Sequence, residues 1–136
     1  MLITSQEFST ATHKRQIDFM NRERKIAIEF DGQQHFIPAW KRMPLDKIHT
    51  NDVELGRWCT NNGYVLIRIG YAHYVRKCET MSDECIKFLT ELLTNDVSPG
   101  VYLLGKEYTQ YNHPVILEPS VHLIGDAYAQ VGNEAP

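Results

Sequence analysis

Two short runs, RQIDFM at 15–20 and KIAIEFD at 25–31, alternate apolar and polar residues and are separated only by the polar stretch NRER. Successive side chains of a strand project to opposite faces. The pattern therefore predicts a hairpin with Ile17 and Phe19 on one face together with Ile26, Ile28 and Phe30. Asp18, Glu29 and Asp31 then fall on the other. Charge driven toward a packed sheet without a partner is costly, and three converging carboxylates repel one another and raise at least one pKa. A bound divalent cation reverses that penalty.

Magnesium takes oxygen ligands, typically one or two carboxylates with water and substrate phosphate completing its shell. Held in this way it polarises a phosphoryl oxygen and generates hydroxide near neutral pH, both of which phosphodiester hydrolysis requires. His35, just beyond Gly32, stands where it could take a proton from an attacking water, and Gly32 allows close approach of backbone and phosphate.

The flanking sequence predicts the rest of an α/β domain. Residues 4–13 read as a short helix with Thr4 and Glu7 at capping-box spacing. QQHFIPAW reads as a third short strand, and 51–62 as a helix opened by Asn51 with Glu54 three residues on. YVLIRI is the best buried strand in the chain. Residues 80–95 form an amphipathic helix with Cys85, Phe88, Leu89 and Leu92 on one face. This order suits a mixed sheet flanked by helices, the 51–62 helix serving as crossover between parallel strands. A core domain over 1–98 is expected, followed by an extension over 99–136 that forms edge strands or an arm and ends in a disordered tail.

Composition narrows the class. At 136 residues with 43% hydrophobic content the chain suffices for one packed domain. Cys59, Cys78 and Cys85 are odd in number and lack a CxxC spacing, so they read as core residues rather than a disulfide framework or zinc ribbon. No apolar run spans a membrane, and the start lacks a signal-peptide layout, so an intracellular protein is expected: cytoplasmic, or in the host cell if phage- or virus-encoded. The net charge of -3 is uneven: His13 to Arg57 carries nine Lys or Arg against seven Asp or Glu, and the chain from Trp58 onward five against nine. The motif-bearing half is thus mildly basic, as suits a phosphate-rich partner. No glycine-rich phosphate loop is present for a small-ester site.

Taken together, IDF…KIAIEFDGQQHF, ND opening a helix and GYVLIRI closing it resemble the very-short-patch repair endonuclease branch of the PD-(D/E)XK nuclease superfamily over about residues 14–75. The closest pattern is that of small phage, large-virus and bacterial members. The resemblance implies a restriction-endonuclease-like fold and magnesium- or manganese-dependent cleavage of DNA. By position, Asp18 matches the first-strand metal carboxylate and Glu29 the second-strand acid, with the carbonyl of Phe30 joining them at the metal. Asp31 falls where many members have lysine, His35 matches the histidine of DGxxH, and Asp52 matches the acid opening the next helix. Homing-endonuclease relatives group such residues in an EDxHD site, and Glu7 is the one counterpart of an additional N-terminal acid.

For DNA contacts the expectation is Lys14, Arg15, Arg22, Arg24 and Lys25 around the hairpin and Lys41, Arg42 and Lys47 after it, binding phosphates. Trp40 either stacks on an exposed base or anchors its loop to the core. Two functions remain open: an endonuclease or nickase, working as a homodimer if it cuts both strands, or a nuclease-fold module with weak or lost chemistry that binds DNA or a protein partner.

Overall fold

The computed structural model describes residues 3–9, 14–39, 43–76 and 79–125, with side chains described from Ile17 onward. Its centre is a six-stranded sheet in the order β1-β2-β3-β4-β7-β8. Strands β1 (Ile3–Ser9), β2 (Lys14–Asn21) and β3 (Ile26–Asp31) pair antiparallel. Strand β3 then pairs parallel with β4 (Val65–Gly70), β4 with β7 (Gly100–Leu104), and β7 with β8 (Val121–Ile124). The two-residue strands β5 (Tyr74–Val75) and β6 (Thr80–Met81) form a separate ribbon.

Helix α1 (Leu45–Asn61) connects the parallel strands β3 and β4, and α2 (Asp83–Thr94) connects the β5–β6 ribbon to β7. They cover opposite faces of the sheet. Leu55 and Cys59 of α1 pack with Ile17, Met20, Ala27, Leu66, Val101 and Leu103. Cys85 and Leu92 of α2 pack with Ile26, Ile28, Phe30, Val65, Ile67 and Ile69. The N-terminus of α2 is capped by Ser82, whose Oγ accepts the Cys85 N–H at 3.1 Å. This is the expected α/β class, a mixed sheet with flanking helices, consistent with a restriction-endonuclease-like arrangement.

The period-2 pattern of β3 holds as expected: Ile26, Ile28 and Phe30 face α2, and Ala27 faces α1. That of β2 does not, because Ile17 lies in the α1-side core while Phe19 packs on the α2 side. The break falls at Asp18. The β2–β3 ladder pairs Phe19 with Ile28, Met20 with Ala27 and Asn21 with Ile26, and goes no further. Beyond it, side chains take over the cross-strand bonding: the Phe30 N–H donates to Asp18 Oδ2 at 2.9 Å, and the Asp18 N–H donates to Glu29 Oε1.

Other local expectations are corrected by tertiary pairing. Residues 3–9 form a strand rather than a helix, because β2 pairs with them from Ile3 to Ser9, with a gap at Ser5, while their helical apolar face is thin. The described part of QQHFIPAW, residues 33–39, is not a strand. Gln33–His35 is a single 3-10 turn, and it drops Phe36, 4% exposed, into the α1-side core. Helix α1 begins at Leu45 after Pro44, so Asn51 and Asp52 lie within it rather than opening it. The division at residue 99 does not separate packing units, since β7 lies inside the sheet and contributes Val101 and Leu103 to one core and Tyr102 and Leu104 to the other. Strand β8 does form an edge, as expected for this region. Cys59 and Cys85 are buried core residues, as expected; Cys78 and the 126–136 tail lie outside the described residues.

Candidate functional site

At the end of β3 the fully buried Asp31 carboxylate faces the Arg68 guanidinium from β4. Arg68 Nε donates to Asp31 Oδ2 at 2.7 Å and Nη2 to Oδ1 at 2.8 Å. A third donor, the Tyr108 hydroxyl, reaches Asp31 Oδ2 at 2.7 Å from the short helix α3 (Glu107–Gln110). Arg68 Nη2 also donates to Asp52 Oδ1 at 2.9 Å. Two carboxylates on different elements thus share one internal cation. Although burial disfavours its charge, these carboxylates hold Arg68 well above the usual arginine value.

The other oxygen of Asp52 takes two imidazoles: His35 Nδ1 at 2.7 Å and His113 Nε2 at 2.8 Å. Burial raises the Asp52 pKa, but Arg68 and the two imidazole hydrogen bonds outweigh it and hold the carboxyl well below the ordinary range. An ionised carboxylate only accepts, so both rings present N–H to it. His35 Nε2 lies 3.7 Å from Asp31 Oδ1, and the side chain is 17% exposed. Burial works against a charged His35 ring, yet Asp31 and Asp52 together raise its pKa above the histidine norm.

Glu29 and Asp18 form a second acidic group where β2 and β3 diverge. Burial pushes the Glu29 pKa up to about 7, with Asp18 and Asp31 adding to the effect and Arg68 opposing it. Each carboxylate is anchored through one oxygen by a backbone N–H. The expected convergence of three carboxylates is therefore not found: Asp18 and Glu29 meet, while Asp31 is committed to Arg68 and Tyr108. Among the described residues, no group of three or more His, Cys, Asp or Glu is arranged as a metal cage. As a donor set, the Asp18–Glu29 pair fits a hard, oxygen-preferring ion such as magnesium or manganese, which needs only one or two carboxylates from the protein. A cation would also favour the ionised form of Glu29 that burial resists.

Of the site residues expected from sequence, Asp31, His35 and Asp52 are joined in one network and Asp18 and Glu29 in another. The side chain of Glu7 lies outside the described residues. Arg68, Tyr108 and His113 were not anticipated, and neither was Glu107. For Arg68 a signal existed, an arginine in the middle of the apolar run VLIRI. The others come from the segment expected to be an extension. Glu107 is 1% exposed, accepts the Ala72 N–H at 2.8 Å, and packs against Gly70 at the end of β4.

The basic residues divide by end of the sheet. Arg22, Arg24 and Lys25 sit at the β2–β3 turn, next to Ile26 and so at the end of β3 away from Asp31. There Arg24 Nη2 donates to the Leu93 carbonyl and Lys25 Nζ to that of Asn62. Arg24 and Lys25 thus tie the hairpin turn to the ends of α2 and α1, at the end of β3 opposite Asp31. Exposed Lys47 lies near the start of α1, two residues before His49, whose Nε2 bonds the His35 carbonyl at 2.8 Å. The backbone of Lys14 and Arg15 opens β2 at the site end; their side chains, and all of Trp40, Lys41 and Arg42, lie outside the described residues.

No family model matches this sequence, and no curated protein or solved structure matches it. No helix among the described residues is long and apolar enough to cross a membrane.

Proposed function

We propose that the protein is a divalent-metal-dependent endonuclease or nickase that hydrolyses DNA phosphodiester bonds, as the motif resemblance implies. The observation that carries this reading is the Asp18–Glu29 pair, two carboxylates anchored on each other's strands beside the Asp31–His35–Asp52 network. Asp18 and Glu29, with the Phe30 carbonyl, would hold magnesium or manganese, which when bound supplies Lewis-acid stabilisation and a more acidic water.

The protein's own groups divide the remaining work. Asp52 fixes His35 through Nδ1, leaving Nε2 to take a proton from, or return one to, groups at the partly exposed side of the ring. Arg68 bridges Asp31 and Asp52 and, with the two imidazoles, holds the Asp52 carboxyl ionised. Lys47, with Lys14 and Arg15 at the same end of the sheet, would meet backbone phosphates. A homodimer would be needed for cutting both strands.

The test is cleavage of supercoiled plasmid, plain duplex, mismatched duplex, four-way junction and single strand with magnesium, with manganese and with EDTA. Metal-dependent cutting by wild type, lost in Glu29→Ala and His35→Ala, is the expected result. One observation favours the second reading, a binding module with lost chemistry: Asp31 and Asp52 are both engaged by Arg68, an internal ion-pair network that needs no substrate. Folded protein that binds DNA or a protein partner but cuts nothing would establish that reading instead.

A further inference from the structure

His113 lies 61 residues from Asp52 in sequence, yet it shares an oxygen of that carboxylate with His35. It follows α3 and precedes a 3-10 turn at Pro114–Leu117, whose Val115 N–H donates to His113 Nδ1 at 3.1 Å. An imidazole nitrogen that accepts carries no proton, so Nδ1 is bare and the ring proton is on Nε2. That Nε2–H points at Asp52. The ring is fully buried, packed on His49 at 4.4 Å and edge-on to Phe36 and Tyr108 at 5.8 and 5.9 Å between centroids. Burial lowers its pKa, which agrees with a neutral ring.

We propose that His113 is a positioning residue: a neutral imidazole, locked in one tautomer by Val115, that fixes the Asp52 carboxylate and through it the ring of His35. Arg68 alone holds Asp52 by the opposite oxygen, Oδ1, and leaves the carboxylate plane free to turn. The second donor at Oδ2 removes that freedom. With Oδ2 fixed, the Nδ1–H of His35 has one acceptor direction, and Nε2, 3.7 Å from Asp31 Oδ1, is the nitrogen left bare in the neutral ring. His49 steadies the same ring from its backbone side, through the His35 carbonyl. The segment after α2 thereby contributes to the site. The reaction His113 serves is the hydrolysis proposed above, and this inference rests on that reading for its catalytic consequence only.

The variants are His113→Gln, whose amide nitrogen can still donate to Asp52, and His113→Leu, which cannot. Ring-nitrogen NMR, taken above the pH at which the His35 signals stop shifting, reads the tautomers in folded protein. Wild type is expected to show His113 protonated on Nε2 and His35 on Nδ1. In His113→Leu the His35 signal should become a mixture of tautomers, and His113→Gln should restore the single form. Where wild type cleaves DNA, His113→Leu should lower kcat by about 10- to 100-fold, the scale on which partners behind a site residue act. KM should be unchanged, and His113→Gln should recover most of the loss. A His35 tautomer unaffected by His113→Leu, or a glutamine variant no better than leucine, overturns the proposal. Absence of cleavage by wild type overturns the nuclease reading alone, since the NMR comparison still decides the role of His113.

Discussion

Arg68 donates two hydrogen bonds to Asp31 across adjacent parallel strands, and both side chains are fully buried. Replacing a buried ion pair with apolar residues is often neutral, whereas removing one member leaves an uncompensated charge. Asp31 and Asp52 would both be left so by Arg68→Met. That variant should lose about 3–5 kcal/mol of stability in urea unfolding. Adding Asp31→Asn should recover part of the loss, because one of the two stranded charges is removed. Equal stability of the single and double variants would show that the pair is not coupled in this way.

Glu29 makes stability depend on pH with a definite sign. Its folded-state pKa of about 7 lies above the ordinary 4.5, so between those values the native state binds the extra proton. The stabilisation is complete below about pH 4.5 and is lost as pH rises through 7, amounting to about 2–3 kcal/mol at most. Glu29→Gln should flatten this part of the profile and leave the protein more stable than wild type at pH 8. Where wild type cleaves DNA, the same variant should abolish cleavage. A wild-type profile that rises from pH 5 to 8 with no difference in the variant would contradict the burial argument.

Metal binding should appear as stabilisation independent of any substrate. A ligand that binds only the native state at ten times its Kd adds about 1.4 kcal/mol, which raises Tm by about 4 °C for a domain of this size. Magnesium or manganese should give such a rise in wild type. In Asp18→Asn or Glu29→Gln the rise should vanish, while Asp31→Asn should retain much of it. Equal loss in all three would return Asp31 to the ligand set.

Gly70 leaves room for Glu107. A Cβ at position 70 would run into the Glu107 carboxyl group, which the Ala72 N–H holds in place. Gly70→Ala should therefore cost about 1–3 kcal/mol by overpacking, measured by thermal or urea unfolding. Combination with Glu107→Ala should cost less than the sum of the two single changes, because they meet at one point. Strict additivity would remove the steric explanation.

Legible in the order of residues alone were the face chemistry of β3, the pairing of β2 with β3 as a hairpin, the crossover helix before VLIRI, and, with the motif resemblance, Asp18, Glu29, Asp31, His35 and Asp52 as candidate residues. Each is set within a few positions by period-2 or period-3.6 patterning, or by a short motif that carries its own chemistry. Local pattern failed where a distant partner supplied the deciding bonds. Residues 3–9 became a strand because β2 was there to pair with them, and Asp18 interrupted its own ladder because Glu29 and Phe30 offered better partners. Which acid meets which base was settled by the packing of distant segments. Arg68 reaches Asp31 over 37 residues, His113 reaches Asp52 over 61, and Tyr108 reaches Asp31 over 77. The partner of a buried charge is fixed by the order of strands in the sheet, and for residues this far apart local periodicity carries no record of that order.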